Sequence, residues 1–186
     1  MEKTEILRQY FGYASFRKGQ EALIDSILEG RDTLGIMPTG AGKSLCFQVP
    51  ALMLEGVTLV ISPLISLMKD QVSALCQAGI RAAYLNSSLT YPQYRKALAN
   101  ACAGVYKIIY VAPERLLTEE FLAFSHRVRI ALVTVDEAHC ISQWGQDFRP
   151  SYLKVPEFVA QLDARPVLAA FTATATEEVK RDIAAM

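Results

Sequence analysis

Thr33-Leu34-Gly35-Ile36-Met37-Pro38-Thr39-Gly40-Ala41-Gly42-Lys43-Ser44 is a short apolar run that breaks into a glycine turn, and a second apolar run follows from Leu45. That order is strand, glycine loop, helix. Gly40 and Gly42 let the backbone curl so that successive N–H groups face one anion, and a helix starting near Lys43 adds the positive end of its dipole. The loop residues Thr39, Gly40, Ala41, Gly42, Lys43 and Ser44 are therefore read as a phosphate cradle. Lys43 would reach the β- and γ-phosphates as a point charge, and the Ser44 hydroxyl would complete the shell of a Mg²⁺ ion. The usual pattern opens with glycine, and Met37 stands in that place here. On this octet alone, an ordinary glycine-rich turn with an exposed lysine stays open.

Working outward, short apolar runs alternate with longer amphipathic ones. Thr33 to Met37, Val57 to Ile61, Arg81 to Leu85, Lys107 to Val111, Ile130 to Val135 and Val167 to Phe171 read as strands. Leu64 to Ala78, Pro92 to Ala101 and Tyr152 to Leu162 have helical length and periodicity, and a last helix starts from Thr176. Before the loop, Ile6, Leu7 and Tyr10 recur at helical spacing, and a second helix is expected over Arg17 to Leu28, with Ala22, Leu23 and Ile27 inward and a stop at Gly30. Strands separated by helices should be parallel and covered on both faces. The expectation is a three-layer α/β/α sandwich with a mainly parallel central sheet, whose ligands gather at the carboxyl ends of the strands.

Bulk properties agree with one domain: 186 residues, 52% of them apolar. Nineteen basic and nineteen acidic residues leave no net charge, so any DNA contact must be local. Cys46, Cys76, Cys102 and Cys140 lie far apart without a C-x-x-C, which argues against zinc and for reduced thiols, three of them in apolar or helical surroundings. No signal region or bilayer-length apolar run is present, so the expectation is a cytoplasmic protein without a membrane partner. The final helix stops at Met186 without a cap and looks cut from something longer.

The strand Ile130-Ala131-Leu132-Val133-Thr134-Val135 runs into Asp136-Glu137-Ala138-His139. Two carboxylates at the end of an apolar strand are costly unless they have work. Beside a loop holding Mg²⁺-ATP, Asp136 would hold the metal through its water shell and Glu137 would polarise an attacking water. The wager is that the lysine turn and this acidic pair meet one triphosphate from neighbouring strand tips.

Met37 to Ser44, Asp136 to His139 and Thr172-Ala173-Thr174 resemble the first three motifs of superfamily 2 helicases, in order. Asp136-Glu137-Ala138-His139-Cys140-Ile141-Ser142-Gln143-Trp144-Gly145, continuing through Asp147-Phe148-Arg149-Pro150, resembles the RecQ family of DNA helicases, as do Ser62 to Gln71 and Pro113-Glu114-Arg115-Leu116. The resemblance spans Phe11 to Ala175. It implies a RecA-like, P-loop NTPase lobe over residues 1–186, the first of two, with residues 1–30 carrying an adenine-recognition motif and with the second lobe and C-terminal domains outside this sequence. It implies ATP and Mg²⁺, single-stranded and duplex DNA as partners, and an ATP-dependent 3′-to-5′ helicase of recombination and repair, associated with the nucleoid when on DNA. The alternatives are a non-unwinding translocase or strand annealer, and a scaffold that binds ATP without cycling.

By the same resemblance, Gln20 in Phe16-Arg17-x-Gly19-Gln20 reads adenine, with Tyr13 and Arg17 stacking on the ring. Lys18 stands where the family more often has proline. Lys43, Asp136 and Glu137 are the catalytic set, with Ser44 and Asp136 on the metal. The loop after His139 senses single-stranded DNA: Trp144 and Phe148 offer stacking faces and Arg149 a phosphate contact, although either aromatic could instead be core. Gln146 stands where many relatives carry histidine. Thr172 and Thr174 link ATP state to lobe closure. Ser62, Ser66, Lys69, Gln71, Asn86 to Ser88 and Arg115 are either DNA-backbone contacts or ordinary caps. A lobe without its partner's arginine finger should hydrolyse ATP barely, if at all.

Overall fold

The computed structural model describes residues 1–38 and 42–186, so Thr39, Gly40 and Ala41 of the expected cradle lie outside the described residues. The six apolar runs form one sheet: β1 (Thr33–Ile36), β2 (Val57–Ile61), β3 (Ala82–Leu85), β4 (Ile108–Val111), β5 (Ile130–Val135) and β6 (Val167–Thr172). Their order is β1-β6-β5-β2-β4-β3, and every pairing is parallel. Each strand but the last is followed by a crossover because parallel neighbours cannot be joined by a tight turn.

The helices are α1 (Lys3–Ile6), α2 (Gln20–Leu28), α3 (Leu45–Met53), α4 (Ile65–Gln77), α5 (Tyr91–Cys102), α6 (Glu119–Ser125), α7 (Lys154–Ala160) and α8 (Glu177–Ala184), of which α3 to α7 lie in the crossovers. Alternation along the strands splits the core into two layers. Leu59, Ile61, Ile109, Val111, Val133 and Val135 face α5 to α8, packing on Tyr94, Phe121, Phe158 and Ile183. Val60, Ile108, Tyr110, Leu132, Ala169 and Phe171 face α2 to α4, packing on Ile27, Phe47, Met68 and Leu75. The rings of Phe47 and Phe171 lie 5.6 Å apart. That contact fixes the helix after the glycine turn to β6, and each buried Phe contributes about 1.5–3 kcal/mol.

Several details depart from the sequence reading. The second helix starts at Gln20 instead of Arg17, because the chain first turns at Lys18 and Gly19. Its inner face is Gln20, Ile24 and Ile27, while Ala22 is exposed. The run over Tyr152 to Leu162 opens as a 3₁₀ turn, Pro150–Leu153, before α7. Cys46 and Cys140 are buried, whereas Cys102 is half-buried and Cys76 exposed, so two thiols are enclosed instead of three. Helix α6 has no counterpart in the sequence reading; its seven residues are too few to show a period. Among the described residues, no helix is long and apolar enough to cross a membrane.

The wager on neighbouring tips is corrected. β6 lies between β1 and β5, so Thr172 sits between the glycine turn and the acidic pair.

Candidate nucleotide site and the loop beside it

A cleft of about 790 Å³ opens at the carboxyl end of the sheet, lined by Tyr13, Arg17 and Gln20 from the N-terminal segment, Gly42, Lys43 and Ser44 from the turn, and Asp136 and Glu137 from β5. Gln48 of α3 and Gln71 of α4 close its inner wall. Lys43 Nζ lies 3.3 Å from Asp136 Oδ1 and 3.4 Å from Glu137 Oε1. One ammonium thus faces two carboxylates, and the three groups together carry an excess negative charge. Burial pushes the Asp136 carboxyl above its ordinary range, opposed by the Lys43 charge. Removing a carboxylate from water outweighs a single partner at this distance.

Asp136 is held through its backbone as well. Its N–H donates to Ile61 O at 2.9 Å, and the buried Tyr152 hydroxyl donates to its carbonyl at 2.8 Å. The Glu137 N–H donates to Asp136 Oδ1 at 3.0 Å. Glu137 itself has φ 53° and ψ 46°, and among the described residues it is the one non-glycine with positive φ. That conformation costs about 1–2 kcal/mol for an L-residue, and it turns the Glu137 side chain back toward Lys43.

Gln20 is 1% exposed. Its Oε1 accepts from Arg17 N at 2.7 Å and its Nε2 donates to Gly42 O at 2.9 Å. The residue assigned to adenine is therefore engaged at both ends of its amide by the chain, and pairing with a base requires it to give up these bonds. Tyr13 stands half exposed at the cleft mouth. Gly42 has φ +79°, which favours glycine, and a Cβ there would displace the Gln20 amide from its contact with this residue.

Beyond Glu137 the chain makes a 3₁₀ turn, Ala138–Ile141, and then a compact loop. His139 Nδ1 is 2.8 Å from Thr172 Oγ1 and 3.7 Å from Glu137 Oε2. The Thr172 hydroxyl spends its proton on Thr174 O at 3.1 Å, so His139 Nδ1 is the donor in that pair. His139, Thr172 and Thr174 thus form one hydrogen-bonded string beside Glu137. Trp144 is 74% exposed, Phe148 half-buried, and Arg149 donates twice to Asp147 Oδ2 at 3.1 Å. Trp144 is not a core aromatic. Gly145 is pressed against the His139 carbonyl so closely that a Cβ would come within 2.6 Å of that oxygen.

Of the residues left between DNA contact and cap, Ser62 and Asn86 are buried and serve the fold. Ser62 Oγ accepts from Leu64 N at 3.4 Å, and Asn86 Oδ1 accepts from Ser88 N at 2.9 Å. Arg115 stacks 4.6 Å over the Tyr94 ring, and Gln71 Oε1 accepts from Gln48 Nε2 at 3.0 Å and from Tyr110 OH at 3.2 Å. Sequence reasoning passed over Gln48, Tyr152 and Asp182. Gln48 carried a signal, a lone amide in the run Leu45-Cys46-Phe47-Gln48-Val49-Pro50, and it is buried. Burial pushes the thiols of Cys46 and Cys140 up to about 12, so neither is a nucleophile.

A parallel sheet with helices on both faces, a lysine turn after an edge strand and two strand-end carboxylates on that lysine define a RecA-like nucleotide-binding lobe. Residues 17–182 match the DEAD/DEAH box helicase family, and the chain belongs to it. It is 53% identical over 179 residues to the ATP-dependent DNA helicase RecQ of Bacillus subtilis (strain 168), covering 96% of this chain and 30% of that protein. It is 50% identical over 179 residues to the RecQ of Pasteurella multocida (strain Pm70), covering 96% of this chain and 28% of the relative. The chain therefore spans about 30% of the length of the curated relatives it matches. A hypothetical ATP-dependent RNA helicase from Sulfolobus tokodaii has the same fold, with TM-score 0.74 and 22% identity over 98% of this chain and 54% of its own. So does the Mycobacterium smegmatis helicase Lhr, solved with ssDNA and AMP-PNP, with TM-score 0.73 and 22% identity over 96% of this chain and 25% of its own.

Proposed function

We propose that this chain is the first motor lobe of a RecQ-type, ATP-dependent 3′-to-5′ DNA helicase, with a second RecA-like lobe and further domains elsewhere in the full-length protein. One observation carries the reading: Lys43 Nζ meets Asp136 and Glu137, which follow a different strand and lie up to 94 residues away. Identity of about half the residues to RecQ helicases over 96% of the chain supports it.

The donor set fits magnesium, since a carboxylate and a hydroxyl are hard oxygen ligands and the Lys43 charge leaves one of the two carboxylates unbalanced. Ser44 and Asp136 would hold the ion, which supplies charge neutralisation to the phosphates when bound. Lys43 places its ammonium on the β- and γ-phosphates. Glu137 is held in its strained conformation to orient and deprotonate the attacking water. Gln20, released from Gly42 and Arg17, pairs with adenine while Tyr13 and Arg17 flank the ring. His139 transmits the state of Glu137 to Thr172 and Thr174 through its Nδ1 proton, and Trp144, Phe148 and Arg149 meet single-stranded DNA. Stacking contributes about 1–3 kcal/mol per base and tolerates any sequence. The work is done in the cytoplasm, on the nucleoid.

ATP turnover and strand separation by the full-length protein, with and without single-stranded DNA, test the reading. Turnover that rises with DNA, together with unwinding that needs ATP, is the expected result. DNA-stimulated turnover with no strand separation would make the protein a translocase.

A further inference from the structure

Ser142 is fully buried in the loop after His139. A hydroxyl has one proton and two lone pairs, and both kinds of capacity are used here. Ser142 Oγ donates to Asp182 Oδ2 at 2.6 Å and accepts from Trp144 N at 3.1 Å. The carboxylate fixes the direction of the Ser142 proton, and with it the lone pair that holds the Trp144 amide. Other hydrogen bonds of this turn run within it: Ser142 N to His139 O at 3.1 Å, Gly145 N to Ser142 O at 3.0 Å and Arg149 N to Cys140 O at 2.9 Å. The Asp182 bond joins the loop to α8, 40 residues further on.

Helix α8 is itself firmly seated. It buries Val179 and Ile183 at helical spacing and packs on the 3₁₀ turn Ala138–Ile141, which leads into the loop. Its start is capped by Thr176, whose Oγ1 accepts from Val179 N at 3.3 Å. A carboxylate on a fixed helix, bonded through a buried hydroxyl to the backbone of a 74% exposed tryptophan, is a lever on where that indole stands.

We propose that Asp182 is the positioning residue for Trp144, acting through Ser142. It does not line the nucleotide cleft. It holds the tryptophan's backbone so that the indole is presented to a stacking partner in one place, which lowers the ordering cost of binding. The consequence for DNA rests on the helicase reading above. The anchoring of the loop does not.

The test is hydrogen exchange of the Trp144 amide in the full-length protein, in Asp182→Ala, Ser142→Ala and Asp182→Asn, with no DNA present. A hydrogen bond to an ionised group is among the stronger ones, so exchange should quicken about tenfold or more in the two alanine variants. It should return toward wild type in Asp182→Asn, which keeps an acceptor oxygen. Exchange unchanged in Asp182→Ala overturns the proposal whatever Ser142→Ala does, as does a rise that Asp182→Asn shares in full. Should Asp182→Ala fail to fold, Asp182→Leu, which fills a similar volume without an acceptor, takes its place. In a second arm, the affinity of an oligo-dT strand should fall about threefold or more in Asp182→Ala while ATP affinity without DNA stays unchanged. Faster exchange with unchanged oligo-dT affinity upholds the role of Asp182 and counts against DNA reading by the loop, so the two failures are separable.

Discussion

Gln20 donates from Nε2 to the carbonyl oxygen of Gly42 at 2.9 Å, so the residue assigned to the base and the turn assigned to the phosphates hold each other. On the proposed reading, an adenine that recruits the amide would also release the Gly42 carbonyl, which would couple base recognition to phosphate binding.

Gly42→Ala should therefore weaken nucleotide binding although it adds a single methyl group. The new Cβ meets Gln20 Nε2, and φ +79° adds about 1–2 kcal/mol of backbone strain. Gln20→Ala on the same background removes the collision and should recover part of the lost stability, but not the affinity. Melting temperature and titration with a fluorescent ATP analogue read the two effects apart. Wild-type affinity in Gly42→Ala would remove this close approach from the account.

Glu137 invites a trade between stability and turnover. Glu137→Gly should raise the unfolding free energy of the nucleotide-free protein by up to about 1 kcal/mol after the entropy cost of glycine is subtracted, read as a higher denaturant midpoint, while ending catalysis. Glu137→Gln keeps the strain and should keep nucleotide binding, yet lose DNA-stimulated ATP turnover in the full-length protein. Lys43→Ala should weaken both. Equal turnover in Glu137→Gln and wild type would exclude Glu137 as the base.

Asp32 ties the edge strand β1 to its neighbour. Its carboxylate accepts from Arg165 Nη1 at 3.1 Å, Arg165 Nη2 at 2.6 Å and Leu168 N at 3.0 Å. The Arg165 guanidinium, aided by the Leu168 amide, holds the carboxyl below its ordinary value of 3.8. A depressed folded value means that this stability is present above the unfolded value and is lost as pH falls through the folded one. Asp32→Asn should thus destabilise by about 0.5–1 kcal/mol at pH 7, the pair being partly exposed. The difference should shrink below about pH 4. Urea midpoints of both proteins at pH 7 and pH 3 measure it, and a gap that is equal at the two values would exclude Asp32 ionisation as its source.

The layers were legible because alternation and β-branching mark buried parallel strands without help from tertiary structure, as Val57 to Ile61 and Ile130 to Val135 show. Lys43, Asp136 and Glu137 were legible because charge at the end of an apolar strand has few innocent explanations. Strand order was not: nothing local in Val167 to Thr172 says that β6 slots between β1 and β5. Nor could spacing pair Ser142 with Asp182, or occupy the Gln20 amide with Gly42, since these bonds join residues that only the packed fold brings together.

The separation of catalytic parts sets the last prediction. This chain supplies the lysine, the acidic pair and the glutamine assigned to the base, all lining one cleft. Phosphoryl transfer also needs charge stabilisation from the opposite side, and an arginine there accelerates turnover about 10³–10⁵-fold. The 186-residue chain should bind an ATP analogue weakly and hydrolyse ATP at no more than about a thousandth of the full-length, DNA-stimulated rate. Steady-state phosphate release at equal molar concentrations compares them directly. Turnover by the chain within about tenfold of the full-length rate would show that the second side is not required, and would relocate charge stabilisation to residues of this lobe.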